Sequence, residues 1–166
     1  MEKLAQAAAE RGRNDPEWFF RSILGIEPWE KQVEIPRAIL DHEKTLVHSC
    51  VASGKTYTAS AIMAWWLLTR YPARVFTIAP TERQHKINVW GEFNRLHPAS
   101  LVPLGGDLVT LSWKLGENWY AKGFSPKDGL SVFGIHGPHD LVLFDDAQGI
   151  TARVIDPFQN ASAGGT

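Results

Sequence analysis

At 166 residues and 44% hydrophobic content, the chain carries enough apolar material for one ordinary core, and a single globular unit is expected. A formal net charge of −1 excludes a global basic field, so any nucleic-acid contact has to come from a local patch. The single cysteine, Cys50, excludes an internal disulfide, and no apolar run reaches membrane-spanning length: Trp65-Trp66-Leu67-Leu68 is closed by Thr69-Arg70.

Residues 2–12 are rich in alanine and favour a helix that Gly12 would stop. The alanines lie among charged residues and form no secretory leader, so a soluble intracellular protein is expected. Asn14-Asp15-Pro16 reads as a cap followed by proline in the first turn of a short helix, with Trp18, Phe19, Ile23 and Leu24 on one face and Gly25 at its end. Glu27-Pro28 opens another helix, from Trp29 to about Ile39, in which Pro36 predicts a kink or a break. Trp29 and Gln32, three residues apart, fall on one face of it. The glutamine amide has an acceptor and donors for the N6 and N7 edge of adenine. The plainer reading is a packed ring beside a solvated amide.

Asp41 to Lys44 is a polar connection into a first strand, about Thr45 to Ser49. The stretch that follows organises the rest: Ser49-Cys50-Val51-Ala52-Ser53-Gly54-Lys55-Thr56, ahead of a helix from Thr56 to Arg70. Strand, Gly-Lys-Thr turn and helix in that order describe a phosphate-binding loop. Its N–H groups and open helix end offer partial positive charge to a polyphosphate; Lys55 would neutralise the terminal phosphates and the Thr56 hydroxyl would hold Mg²⁺. The usual pattern opens with glycine where Ser49 stands, and an exposed turn before a helix is the competing reading. Within the helix, small residues (Ala59, Ser60, Ala61, Ala64) permit close approach to a sheet and bulky ones (Ile62, Trp65, Leu68) fill the gaps. Trp65 and Trp66 are read as packing residues.

Val75 to Ala79 is a strand closed by Pro80-Thr81, and a helix from about Glu82 to Leu96 carries Ile87, Trp90 and Phe93 toward the sheet. Arg83 and Gln84 lie in its first turn, at the end where a parallel sheet places its ligands. Leu108 to Leu111 and Trp119 to Lys122 alternate like a hairpin with Lys114 to Asn118 around the turn, an antiparallel addition rather than a sheet core. Lys122 and Lys127 near its end are the nearest thing to a basic patch. His136 and His139 have a spacing that could suit a metal, but no further ligand accompanies them, and a Gly/Pro-rich entry into a buried strand, Asp140 to Phe144, explains them better. At the end of that strand Asp145 can join the Mg²⁺ shell beside Thr56, and Asp146 can orient or deprotonate an attacking water. An Asp-Asp loop capping the next helix is the alternative.

The order Trp29…Gln32, Ser-x4-Gly-Lys-Thr, Ala79-Pro80-Thr81 with Gln84, and Gly137 ahead of Leu-Val-Leu-Phe-Asp-Asp-Ala-Gln-Gly-Ile resembles the ATPase domain of tailed-phage terminase large subunits over roughly Asp15 to Ile150. Serine at the head of the phosphate loop is common in that family. The resemblance implies an α/β, RecA-like P-loop fold with a mostly parallel sheet, in which a helical segment (1–42) precedes the ATPase core (43–166). It also implies an ATP-driven motor, with Mg²⁺, that packages double-stranded DNA into a procapsid in the host cytoplasm. Such a motor docks as a homo-oligomer on the portal protein and pairs with a small terminase subunit, away from any membrane. Lys55 and Asp146 would be catalytic; Ser49 to Thr56, with Trp29 and Gln32, would bind the nucleotide; Thr56 and Asp145 would hold the metal.

The chain departs from the family pattern in places. Asp146 stands where the family usually has glutamate, which withdraws the carboxylate. His48 stands where many members have an arginine; Arg83, Arg95 and Arg153 are the other candidates for an arginine finger. The coupling motif and nuclease domain are expected beyond Gly165, so the sheet is expected to be incomplete at its C-terminal side, with a gap between the strands bearing Lys55 and Asp145, and these residues alone are expected to be poorly stable with little ATPase activity. A RecA-like helicase or translocase, and a nucleotide-binding assembly module without turnover, are the competing readings.

Overall fold

Alanine-rich residues form α1 (Glu2–Asn14), which runs through Gly12 instead of ending there. Gly12 is buried against the Phe19 ring, and its carbonyl accepts a hydrogen bond from Trp65 Nε1 at 2.7 Å, so packing sets its role and not helix termination. The computed structural model describes residues 2–48, 53–125 and 137–150. Asp15 caps α2 (Pro16–Phe19) by accepting from the Trp18 N–H at 3.0 Å, with Pro16 in the first turn. The helix continues as a wider π turn over Phe20–Leu24 and ends at Gly25 in the left-handed region. Phe19, Phe20 and Leu24 are buried, while Trp18 and Ile23 pack at the core's margin. The next helix, α3 (Glu30–Asp41), keeps Pro36 inside it without a break.

Helix α4 (Lys55–Thr69) is the central pillar. Its hydrophobicity is spread around the circumference, and nine of its residues are buried, because it is covered on several sides. Arg13 donates from Nε and Nη2 to the Thr69 carbonyl at its C-terminus, where the helix dipole favours cations. The neighbouring Arg70 is also buried and stacks over the Trp66 and Trp65 rings at 3.8 and 4.6 Å. Burial, then the Arg13 charge, pulls its guanidinium down to about 10.

The sheet has the order β2-β3-β4-β1-β5, from β1 (Arg74–Ile78), β2 (Asp107–Val109), β3 (Ser112–Gly116), β4 (Trp119–Phe124) and β5 (Asp140–Phe144). It is mixed: β4, β1 and β5 pair in parallel, and β3 runs against its neighbours β2 and β4. Helices α5 (Glu82–Ile87) and α6 (Val89–Ala99) follow β1. The expected single helix over 82–96 is therefore broken at Asn88.

Three further expectations are corrected. Thr45 to His48 form no strand and are exposed, Leu46 to 88%. A strand needs a neighbour for its N–H and C=O groups, and none of the described strands pairs with this segment. The segment over Asp107–Phe124 is not an appendage: it is a three-stranded meander whose last strand, β4, lies beside β1, with Trp113 and Ala121 fully buried. Strand β5 is not buried on both sides. It pairs only with β1 among the described residues, and all five of its residues are half-buried.

Where β5 begins, Arg74 makes a bidentate pair with Asp140 (Nε–Oδ1 2.9 Å, Nη2–Oδ2 2.6 Å), and the Gly137 N–H also donates to Asp140. Asp140→Ala would leave the Arg74 cation in a largely covered position and strip Gly137 of its acceptor. A loss of about 2–3 kcal/mol is expected in urea unfolding, whereas an exposed pair such as Lys31–Glu34 should lose under about 0.5 kcal/mol when broken.

Candidate functional site

Two hydrogen bonds orient α4 against the sheet. Trp66 Nε1 donates to the His139 carbonyl, one residue before β5 begins, and Leu67 accepts from Trp119 Nε1 at the first residue of β4. The C-terminal half of α4 therefore lies at the starting end of the parallel strands. Its N-terminus, about 20 Å away along the axis, points to the end where β1 gives way to Ala79-Pro80-Thr81 and β5 to Asp145-Asp146. Carboxyl ends of parallel strands facing a helix N-terminus are the usual place for an anionic ligand in an open α/β sheet.

Gly54 is the N-cap of α4 with φ +80°, a conformation that side chains rarely adopt. Its carbonyl accepts from both the N–H and the hydroxyl of Thr58 (2.9 and 2.8 Å), which fixes the first turn. Lys55 opens the helix and is exposed; Thr56 follows, half-buried. Ser49, Cys50, Val51 and Ala52 lie outside the described residues, as do His136, Lys127 and Arg153. Gln32 reaches this turn from α3: its Oε1 accepts from the Trp29 N–H at 3.3 Å, and its Nε2 lies 3.1 Å from where a Cβ on Gly54 would stand. A narrow crevice beside it is lined by Phe20, Ile26, Pro28, Gln32, Tyr57, Thr58 and Ala61. The Trp29 ring, half exposed, is not part of that lining.

On the sheet side, the Asp145 N–H donates to the Ile78 carbonyl at 2.9 Å, tying the acidic turn to the end of β1. Burial raises the Asp145 carboxyl above the ordinary carboxylate range. Asn88, donating from Nδ2 to Oδ2 at 3.2 Å, pulls it down, as do the Lys55 ammonium and a bond from Asp146, while the Asp146 charge pushes it up. Lys55 and Asp145 are thus within electrostatic reach of one another. Asp146 is exposed and left-handed (φ 53°, ψ 51°), a conformation that aspartate tolerates better than most residues. The 3-10 turn Ala147–Gly149 follows, and Gly149 lies against the Pro80 ring, so the two loops at this end of the sheet touch.

Gln84 is engaged locally: Thr81 caps α5 by accepting its N–H at 3.2 Å, and the Thr81 hydroxyl donates to its Oε1 at 2.8 Å. Arg83 is exposed beside it. The His139 carbonyl serves the Trp66 indole and the Arg74 N–H; its ring is pushed down by burial, then by Arg13 and Arg70. Two contributors were not singled out from the sequence. Tyr57 lines the crevice, and Asn88 binds Asp145; the signal for the second was an asparagine with Gly91 three residues on, two poor helix formers inside a helical pattern.

The donors present fit Mg²⁺. Asp145 offers a carboxylate oxygen that burial holds short of full stabilisation, and Lys55 and the start of α4 favour phosphate nearby. Among the described residues no group of three or more His, Cys, Asp or Glu could hold a metal ion. Because the Asp145 carboxyl is raised in the folded state, folding favours its protonated form. That contribution is fully present below the ordinary value, near 4, and is lost as pH rises through the raised value. Asp145→Asn should therefore raise the metal-free melting temperature at pH 7 by roughly 1–4 °C, the gap closing as the pH falls to about 3. Differential scanning fluorimetry across pH checks it.

Among the described residues no helix is long and apolar enough to cross a membrane. Comparison with protein-family models, curated proteins and solved structures returned no match for the chain.

Proposed function

We propose that the chain is the RecA-like ATPase motor domain of a tailed-phage terminase large subunit, hydrolysing ATP to drive double-stranded DNA into a procapsid. The observation that carries this reading is that the start of α4, where Lys55 stands, and the acidic turn at Asp145 lie at the same end of the sheet. Triphosphate bound at the start of α4 would meet the positive end of the helix dipole and the Lys55 ammonium. Bound Mg²⁺ supplies charge neutralisation across the terminal phosphates, and the Thr56 hydroxyl and Asp145 are the residues that would hold it. Gln32, whose side-chain amide reaches the Gly54 turn, would serve the adenine end. Asp146 would orient the attacking water and take its proton as ATP and water become ADP and phosphate. Portal protein, small terminase subunit, homo-oligomeric assembly and the host cytoplasm belong to the same proposal and rest on the motif resemblance.

The test is direct. Mg–ATP should bind in the micromolar range, about −8 kcal/mol, and phosphate release should rise when duplex DNA is added. A chain that binds no Mg–nucleotide overturns the proposal. Binding without turnover would favour the assembly-module reading, which the exposed Asp146, one methylene shorter than glutamate, recommends as the second choice.

A further inference from the structure

The helical pattern after β1 is interrupted at a single residue. Asn88 closes α5 by donating its N–H to the Gln84 carbonyl at 2.7 Å, and it opens α6 by accepting from the Glu92 N–H at 2.9 Å, while its own ψ of −104° leaves the helical region. Gly91 makes room for the turn: a Cβ there would stand 3.1 Å from the Lys86 carbonyl oxygen. Breaking a helix forfeits backbone hydrogen bonds, so some other interaction has to account for it.

Asn88 stands at the N-cap of α6, where an asparagine ordinarily accepts a backbone N–H of the first turn. Its side chain makes no such bond. Nδ2 instead donates to Asp145 Oδ2, fifty-seven residues away in the chain. An amide is well suited to that task. A lysine or arginine there would neutralise the charge a cation needs, and a carboxylate would repel Asp145. The neutral donor holds one carboxylate oxygen without cancelling the charge of the group.

We propose that Asn88 is a positioning residue of the cation site: by holding Oδ2 it sets the carboxylate plane so that the remaining oxygen of Asp145 faces the phosphate end of α4. The proposal rests on the nucleotide-site reading above. It deepens that reading by adding a partner outside the phosphate loop and the acidic strand, and it explains why α5 and α6 are two helices. Partners of metal-holding carboxylates act by orientation, and their loss lowers metal affinity without removing the ligand itself.

The experiment is titration of a fluorescent N-methylanthraniloyl ATP with and without Mg²⁺, on the wild-type chain and on Asn88→Ser, Gly91→Ala and Lys55→Ala. Serine is as good an N-cap as asparagine but too short to reach Asp145, so a residue that merely caps α6 would tolerate the change. The gain in affinity that Mg²⁺ confers should fall roughly 10-fold in Asn88→Ser, with Mg²⁺-free affinity unchanged within about 2-fold. Gly91→Ala, which presses on the Lys86 carbonyl, should lower the same gain by a smaller factor. A wild-type gain in Asn88→Ser overturns the positioning role. If Lys55→Ala weakens binding while Asn88→Ser keeps that gain, only the Asn88 assignment fails; if Lys55→Ala binds as the wild type does, the nucleotide site fails and the assignment with it. Should Asn88→Ser not fold, the Asn88 side-chain amide signals of the wild type decide: a shift on adding Mg–nucleotide supports the proposal, and none overturns it.

Discussion

Lys55→Ala is expected to weaken Mg–ATP binding or turnover by at least about 100-fold, near 3 kcal/mol, while the chain stays folded. The two halves of this result have different causes. Lys55 is exposed at the first position of α4, so alanine, the best helix former, leaves the pillar intact. What is lost is the ammonium that, in the proposed reading, meets the terminal phosphates and whose charge favours the ionised Asp145 carboxylate. Without it the Asp145 carboxyl loses one of the influences that favour its charge, while burial and the Asp146 charge still oppose it. Lys55→Arg keeps the charge but spreads it over a planar fork, so partial recovery of binding with poor turnover is expected. The measurements are nucleotide titration and phosphate release alongside circular dichroism. Wild-type hydrolysis by the alanine variant would remove the basis for the ATPase reading.

Trp113→Ala is expected to cost about 3–5 kcal/mol and lower the melting temperature by roughly 10 °C, a large share of the stability of a domain this size. Trp113 sits in β3, outside the parallel part of the sheet, yet its ring is fully buried. It packs 4.9 Å from the Phe93 ring and 5.6 Å from His97, both on α6, and its Nε1 donates to the Gly105 carbonyl at 2.8 Å. Truncation leaves a cavity between α6 and the sheet and removes one of the two hydrogen bonds to that carbonyl, the other being to His97 Nε2 at 3.0 Å. Val109→Ala, on the 62% exposed face of β2, is the control and should change stability by less than about 0.5 kcal/mol. Thermal unfolding of both variants decides. A loss under about 1 kcal/mol for Trp113→Ala would mean that the meander is an appendage after all.

Features set by neighbouring residues were readable in the chain alone. Asp15-Pro16 made a cap and first turn, Gly25 ended its helix in the left-handed region, and the run after Gly54 formed a helix covered on several sides. The apolar runs at 75–78 and 140–144 became strands. Each rests on forces acting over a few residues: a side chain reaching a nearby N–H, a φ that only some residues tolerate, an apolar period. Gly12 is the exception, since its reading as a stop ignored Phe19 and Trp65, which come from elsewhere.

What residue order by itself determined is therefore several of the elements and the spacing of chemistry along them: a glycine-lysine turn opening a helix, and an acidic pair closing a strand. Only the folded arrangement decided that β4 lies beside β1, that β5 has one partner among the described residues, that Thr45 to His48 form no strand, and that Asn88 leaves its helix to hold Asp145. The physical reason is that strand pairing and buried hydrogen bonds need a specific partner brought from far along the chain. A local pattern can state that a strand or a donor is available, but it carries no information about which distant group will satisfy it.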